Sequence, residues 1–268
     1  MQIKKIQSNI LNRYAQHGRI LPRRKVRDPY AIHVSEVMLQ QTQVDRVIPY
    51  FHQWMKDFPD YASLAKASKV DLLKHWSGLG FNSRALRLQQ CAKKMVEGWS
   101  LRLLRVESWK ATRDELQKLP GIGPYTSAAI MAFARNKEVP VIDTNIRRVL
   151  IFLFKLPETI ISKELEVFAE KIIPKWKSRD RHNALMDYGA LELTAKKTKI
   201  KSLSKQSKFE WSDRQVRGWV LKKMIKDEEL RIKDVGEEFP HKNIKNILEG
   251  MKKEWLIHIK KWIITIAE

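Results

Sequence analysis

The chain has 268 residues, 43% of them hydrophobic and nine of them Trp, and 52 Lys and Arg against 30 Asp and Glu give a net charge of +22. That is apolar material enough for a core in one large or two modest domains, and the charge predicts attraction to a polyanion, here DNA. One cysteine, Cys91, excludes a disulfide framework and any multi-cysteine metal site. No apolar run reaches membrane-spanning length or has the form of a signal peptide, so the expected setting is cytoplasmic and nucleoid-associated, without a membrane.

Ile3, Ile6, Ile10, Leu11 and Tyr14 have helical spacing over 2–16. His17-Gly18-Arg19-Ile20-Leu21-Pro22 breaks the pattern, and Arg23, Arg24, Lys25 and Arg27 follow as a basic loop. Asp28-Pro29-Tyr30 reads as a helix start with proline in its first turn. Val34, Val37, Met38, Val44, Val47, Ile48, Phe51 and Met55 form an i, i+3/i+4 stripe that Pro49 is expected to divide or kink. Further helical runs stand at about 61–77, 83–98, 108–119, 124–136, 144–154, 162–175 and 182–193, with Cys91 a buried thiol beside Leu88, Ala92 and Met95.

Leu119-Pro120-Gly121-Ile122-Gly123-Pro124-Tyr125-Thr126 reads as helix, tight hairpin, helix. Gly121 and Gly123 permit positive φ and close approach of another backbone. Pro124 suits the first turn of the second helix, whose free N–H groups favour an anion such as a DNA phosphate.

Composition shifts near 194, where Lys196, Lys197, Lys199, Lys201, Lys205 and Lys208 stand with no acid between them, as a solvated linker or a phosphate-facing loop. Beyond it, residues 210–268 carry three helical patterns, with Val216, Val220 and Met224, then Ile232 and Val235, then Ile244, Ile247, Leu248 and Met251. Strand-like Leu256, Ile257, Ile259, Trp262, Ile263, Ile264 and Ile266 surround Lys260-Lys261, which completes a winged-helix-like pattern.

Four segments in order resemble MutY-type adenine DNA glycosylases of the endonuclease III (helix-hairpin-helix) superfamily: Asp28 to Val44, Trp76 to Ala85, the hairpin, and Val141 to Leu150. The resemblance covers about residues 8–210. It implies an all-α fold of two helical subdomains (about 26–135, and 1–25 with 136–209) with a cleft between them, followed by the small unit 210–268. It also implies that Glu36 protonates the departing base at N7 and that Asp143 stabilises the positive sugar. Breaking a purine N-glycosidic bond needs both services, and two carboxyl groups can divide them. The apolar stripe beside Glu36 is expected to keep that carboxyl protonated, and Asp143 is also a candidate helix N-cap.

Tyr125 stands where bifunctional relatives carry lysine. Without an amine no Schiff base forms, so a monofunctional enzyme is expected. By the same resemblance Asn145 orients Asp143 or the attacking water, and Asp187, Arg19 and Arg24 line the base pocket. Gln41 and Phe81 wedge into the gap left by the extruded nucleotide.

The chain departs from that family in three places. The family's four-cysteine iron–sulfur positions fall on Leu193, Ile200, Leu203 and Phe209, so no cluster and no metal is expected, and an apolar cluster is expected to hold the loop instead. The family's Leu-Pro-Trp reads Leu21-Pro22-Arg23, which loses a stacking surface. The stretch after 209 is shorter than the domain with which many relatives sense 8-oxoguanine. The expected function is excision of adenine opposite guanine or 8-oxoguanine from double-stranded DNA by a monomer. Excision of thymine or uracil opposite guanine, and non-catalytic DNA binding, are the alternatives.

Overall fold

The computed structural model describes residues 2–97, 111–172, 177–203 and 208–267, and they are mostly helical. In chain order the helices are α1 (Gln2–His17), α2 (Pro22–Lys25), α3 (Pro29–Leu39), α4 (Val44–Asp57), α5 (Tyr61–Lys66), α6 (Lys69–Trp76) and α7 (Ser83–Glu97). Then come α8 (Arg113–Gln117), α9 (Pro124–Arg135), α10 (Thr144–Phe154), α11 (Ser162–Ile172), α12 (Ser178–Asp187), a π-helical turn (Tyr188–Glu192) and α13 (Ala195–Thr198). The C-terminal stretch is α14 (Asp213–Asp227), β1 (Glu229–Arg231), α15 (Ile232–Glu238), α16 (Ile244–Lys253), β2 (Ile257–Lys260) and β3 (Ile263–Ile266).

Local chemistry sets most boundaries. Asp28 opens α3, its carboxylate accepting from the N–H groups of Tyr30 and Ala31 at 3.2 Å. Pro49 does not divide the stripe: α4 runs through it, because Pro49 and Asp45 are exposed and water can meet the carbonyl that loses its partner. The break falls earlier, at Gln41, whose φ is 57°. The run expected over 61–77 is two helices, since Ser68 caps α6 through the Asp71 N–H at 3.0 Å. The run expected from 182 begins at Ser178 and ends in the π-turn. Parts of the runs expected at 108–119 and 162–175 lie outside the described residues.

The chain forms two compact units. The first comprises Met1–Glu36, Ala111–Lys118 and Ile122–Lys205, and the second Val37–Lys110, Leu119–Gly121 and Gln206–Glu268. In the first unit α1 packs on α12, and Ile10, Ile130, Phe133, Ile146 and Leu150 are core residues. The π-turn lies on α10, where a Cβ at Gly189 would stand 2.9 Å from the Cβ of Asn145, so only glycine fits.

The second unit is built on Trp54, Leu64, Trp76, Leu88 and Cys91, all fully buried, with Trp54 and Trp76 edge to face at 5.4 Å. The C-terminal elements belong to it, and α14 packs on α6. The three helices and the β2–β3 hairpin follow the winged-helix pattern, and a short strand not legible in the sequence, β1, completes an antiparallel sheet in the order β1-β3-β2. Leu230 and Ile259 both pair with Ile264 in that register. At the hairpin tip Lys261 and Trp262 take φ of 48° and 69°, and Trp262 is 78% exposed.

Candidate active site

Glu36 lies on α3 beside the apolar stripe of Val34, Val37 and Met38, and is 2% exposed. Each of its carboxylate oxygens has a partner from another segment. The Tyr125 hydroxyl, from the second position of α9, donates to Oε2 at 2.7 Å, and Arg23 Nη1, from α2, donates to Oε1 at 2.8 Å. Burial, with the Glu36 and Asp143 carboxylates next to it, holds the Tyr125 hydroxyl well above its ordinary pKa, so it stays a donor.

Asp143 caps α10, accepting from the Ile146 N–H at 2.7 Å. Its other oxygen accepts from Asn145 Nδ2 at 3.0 Å. Asn145 is held in turn, its Oδ1 accepting from Arg148 Nη2 at 2.7 Å, while Arg148 also donates to the carbonyls of Gly189 (2.7 Å) and Leu193 (2.6 Å). Burial raises the Asp143 carboxyl above its ordinary value, the Ile146 and Asn145 bonds pull the other way, and the Glu36 charge adds to the rise. The loop before it is pinned by His182, whose Nε2 accepts from the Val141 N–H at 3.0 Å. Glu36, Tyr125, Asp143 and Asn145 thus gather within the first unit, with Tyr125 in the field of both carboxylates.

Arg19, Arg24 and Asp187 also come together in that unit, bound to one another. Asp187 accepts from Arg24 Nη1 and Nη2 at 2.7 Å each, from Arg19 Nε at 2.6 Å and from the Arg19 N–H at 2.9 Å. Burial acts to raise this carboxyl, and the arginine bonds outweigh it and leave it below its ordinary value. Four bonds fill the acceptor capacity of a carboxylate.

Gln41 and Phe81 belong to the second unit, both exposed and both at positive φ (57° and 49°). Arg84, 8% exposed, joins their turns, donating to the carbonyls of Val37 (2.7 Å), Gln40 (2.7 Å), Leu79 (3.1 Å) and Gly80 (2.9 Å). The Phe81 ring lies 5.6 Å from the guanidinium carbon. In the hairpin only Gly121 has positive φ, 77°, and a Cβ there would stand 2.9 Å from Arg87 Cβ. Gly123 is extended, and a Cβ on it would meet nothing within 4 Å, so its role is to leave the start of α9 uncovered. Lys196, Lys197 and Lys199 are exposed on and just after α13, which Thr194 caps.

The apolar cluster expected in place of an iron–sulfur site does not form. Leu193 and Ile200 are buried at 4% and 8% exposure, but Leu203 and Phe209 are 72% and 60% exposed. The Arg148 bond to the Leu193 carbonyl and the helical turn of α13 hold this segment instead. Four hydrocarbon side chains offer iron no ligand, and among the described residues no group of three or more His, Cys, Asp or Glu could hold a metal. Sequence reasoning also gave no role to Arg148, His182 or Arg84, and saw in Arg23 part of a basic loop and a lost stacking surface, not a partner of Glu36.

Fold and site together define a helix-hairpin-helix protein with a centre of two carboxyl groups. The profile described as "HhH-GPD superfamily base excision DNA repair protein" matches residues 34–175, more than half of the chain, and the chain belongs to that superfamily. Over 200 residues it is 38% identical to the adenine DNA glycosylase of Mus musculus, covering 70% of this chain and 38% of the relative. The corresponding figures for the Homo sapiens protein are 36% identity over 206 residues, 72% and 37%. The chain therefore spans under two fifths of the length of these relatives. Among solved structures, a thermostable thymine-DNA glycosylase matches with a TM-score of 0.65 at 27% identity, covering 73% of this chain and 89% of its own. A trapped endonuclease III–DNA covalent intermediate matches with a TM-score of 0.62 at 20% identity, covering 76% and 89%, which shows the shared fold.

Proposed function

We propose that the chain is a monofunctional DNA glycosylase of base excision repair, hydrolysing the N-glycosidic bond of a flipped-out adenine mispaired with guanine or 8-oxoguanine. The observation that carries this reading is the pair Glu36 and Asp143, both beside Tyr125 within one unit. Glu36 gives a proton to the extruded base at N7, so the base departs neutral rather than as an anion. Electron density leaves C1′ with it, and the Asp143 carboxylate, held by Ile146 and Asn145, faces the positive sugar. Water adds to C1′, returns a proton to the site and leaves an abasic sugar. Tyr125 supplies no amine, so the strand is not cut through a Schiff base.

The hairpin at Gly121 and Gly123, the wedges Gln41 and Phe81, and Lys196, Lys197 and Lys199 would meet the duplex as a monomer binds it. The chemistry needs no iron–sulfur cluster, and metal analysis of purified protein should find iron far below one cluster per chain.

Excision of thymine or uracil opposite guanine is the second reading, favoured by the resemblance to the thymine-DNA glycosylase. Duplexes bearing A, T or U opposite G or 8-oxoguanine, treated with protein and then hot alkali, separate the two. Glu36→Gln should abolish cleavage and leave duplex binding intact. Absence of cleavage by the wild-type protein on every duplex would leave a DNA-binding protein only.

A further inference from the structure

The tip of the β2–β3 hairpin goes against the backbone preferences of its own residues. Lys260 pairs with Ile263, which leaves Lys261 and Trp262 as the two residues of the turn. Both have positive φ, 48° and 69°. A two-residue turn of this kind accepts asparagine and glycine at little cost, whereas a lysine and, above all, a tryptophan are strained there. The turn is held nonetheless. The Trp262 carbonyl accepts from the Ile232 N–H, at the start of α15, at 3.0 Å, and Ile257 and Ile264 bury their side of the strands in the core.

Packing does not offset this strain. Trp262 is 78% exposed, and among the described residues its ring meets no other ring and no cation. Lys260 and Lys261 are exposed as well, with no acid partner among the described residues. Arg231, level with Lys260 across Ile263 in the sheet, is paired with Asp234 at 3.0 Å and is not counted with them. Strain kept at a residue that packs on nothing points to a contact made outside the chain. Two ammonium groups beside an indole, whose one polar group is an N–H donor, call for a surface that is anionic, rich in acceptors and apolar at its edges. Duplex DNA has all three, with one charge per about 1.7 Å of axis and grooves lined by acceptors. The chain's net charge of +22 and its place in a DNA repair superfamily favour that occupant over an acidic protein face. The profile match, 34–175, and the four family motifs all end before this unit, so neither assigns it a role.

We infer that the hairpin tip Lys260-Lys261-Trp262 is a further duplex-binding site, separate in sequence from the helix-hairpin-helix. The two lysines neutralise phosphates and the indole lies against the sugar edge between them, so the site holds DNA without reading its sequence. The inference goes beyond the glycosylase reading and does not depend on which base is excised.

The test is the affinity of the full chain for an undamaged duplex, followed by fluorescence anisotropy across a salt series, with melting temperature measured alongside. Excision plays no part in that readout, so the glycosylase reading stands or falls separately. Lys261→Asn combined with Trp262→Gly gives the turn its preferred residues, and the variant should melt at or above the wild-type temperature. Its affinity should nonetheless fall roughly tenfold, as when a tryptophan is lost from an interface. Its slope of log K against log salt should flatten by about 0.9 for the one lysine removed. A turn that is better folded and binds worse is the signature of residues kept for DNA. Wild-type affinity and slope in that variant would overturn the inference and leave the tip to a protein surface or to no partner. Should the variant melt below the wild type, Lys260→Gln decides, because it changes a strand residue outside the strained turn. A slope flatter by about 0.9 supports the inference, and an unchanged slope overturns it.

Discussion

The Tyr125 hydroxyl donates to Glu36 Oε2 at 2.7 Å, joining a residue of the hairpin helix α9 to one from α3. A lysine at 125 would place an ammonium there. Tyrosine places a donor that stays protonated, because burial and two carboxylates hold its pKa up. Tyr125→Phe removes the hydrogen bond to Glu36 Oε2, worth about 0.5–1.5 kcal/mol, so excision should slow roughly 2- to 10-fold with duplex affinity unchanged. Tyr125→Lys should gain a borohydride-trappable adduct with substrate DNA that the wild type lacks; trapping by the wild type would contradict a monofunctional mechanism.

In the proposed mechanism Asp143 acts in its ionised form, and burial raises its pKa. The acidic limb of the excision rate should therefore lie above the ordinary carboxylate value of 3.8. Asn145 donates to that carboxylate and lowers its pKa. Removing it with Asn145→Ala should move the limb to higher pH, and a limb that does not move would assign the titration to another group. Asp143→Asn keeps a capping oxygen but no charge, so excision should be lost with little change in melting temperature.

His182 is buried neutral, its pKa lowered to about 4 mainly by desolvation, and His33 is lowered to about 3 in the same way. The unfolded chain binds these protons below about 6.5 and the folded chain does not, so stability should fall as pH drops from about 6.5 toward 4. Melting temperature measured against pH should show that slope, and His182→Gln should flatten it. Because His182 holds the Val141 N–H, that loss of stability also loosens the segment carrying Asp143.

Lys196, Lys197 and Lys199 are exposed and carry no acid between them. Changing all three to Glu should weaken binding to every duplex and flatten the dependence of log K on log salt by about 0.9 for each phosphate no longer neutralised. An unchanged slope would remove this helix from the DNA interface.

Much of this was legible in the sequence because it is local. Helix periods, the Asp28 and Asp143 caps and the Gly121 turn each depend on a few adjacent residues. The hidden parts depend on distance along the chain. Arg84 reads as one more basic residue on a helix, yet it closes two turns that each take a left-handed residue at their tip. Arg148 ties α10 to the π-turn through carbonyls that no sequence pattern reveals. β1 is three residues long, too short for alternation to show, and only its pairing with β3 defines it. The apolar residues at the four family ligand positions misled for the converse reason: hydrophobic character alone does not fix burial, and Leu203 and Phe209 face solvent.

Gly189 sits where α10 has no room for a methyl group, its missing Cβ overlapping Asn145 and its carbonyl receiving Arg148. Even alanine there would pry the π-turn off the helix and tilt Asn145 away from the carboxylate it steadies. Damage to the chemistry can therefore begin at a position that carries no side chain, and an inactive variant at 189 would look, from its composition, like the mildest change in the protein.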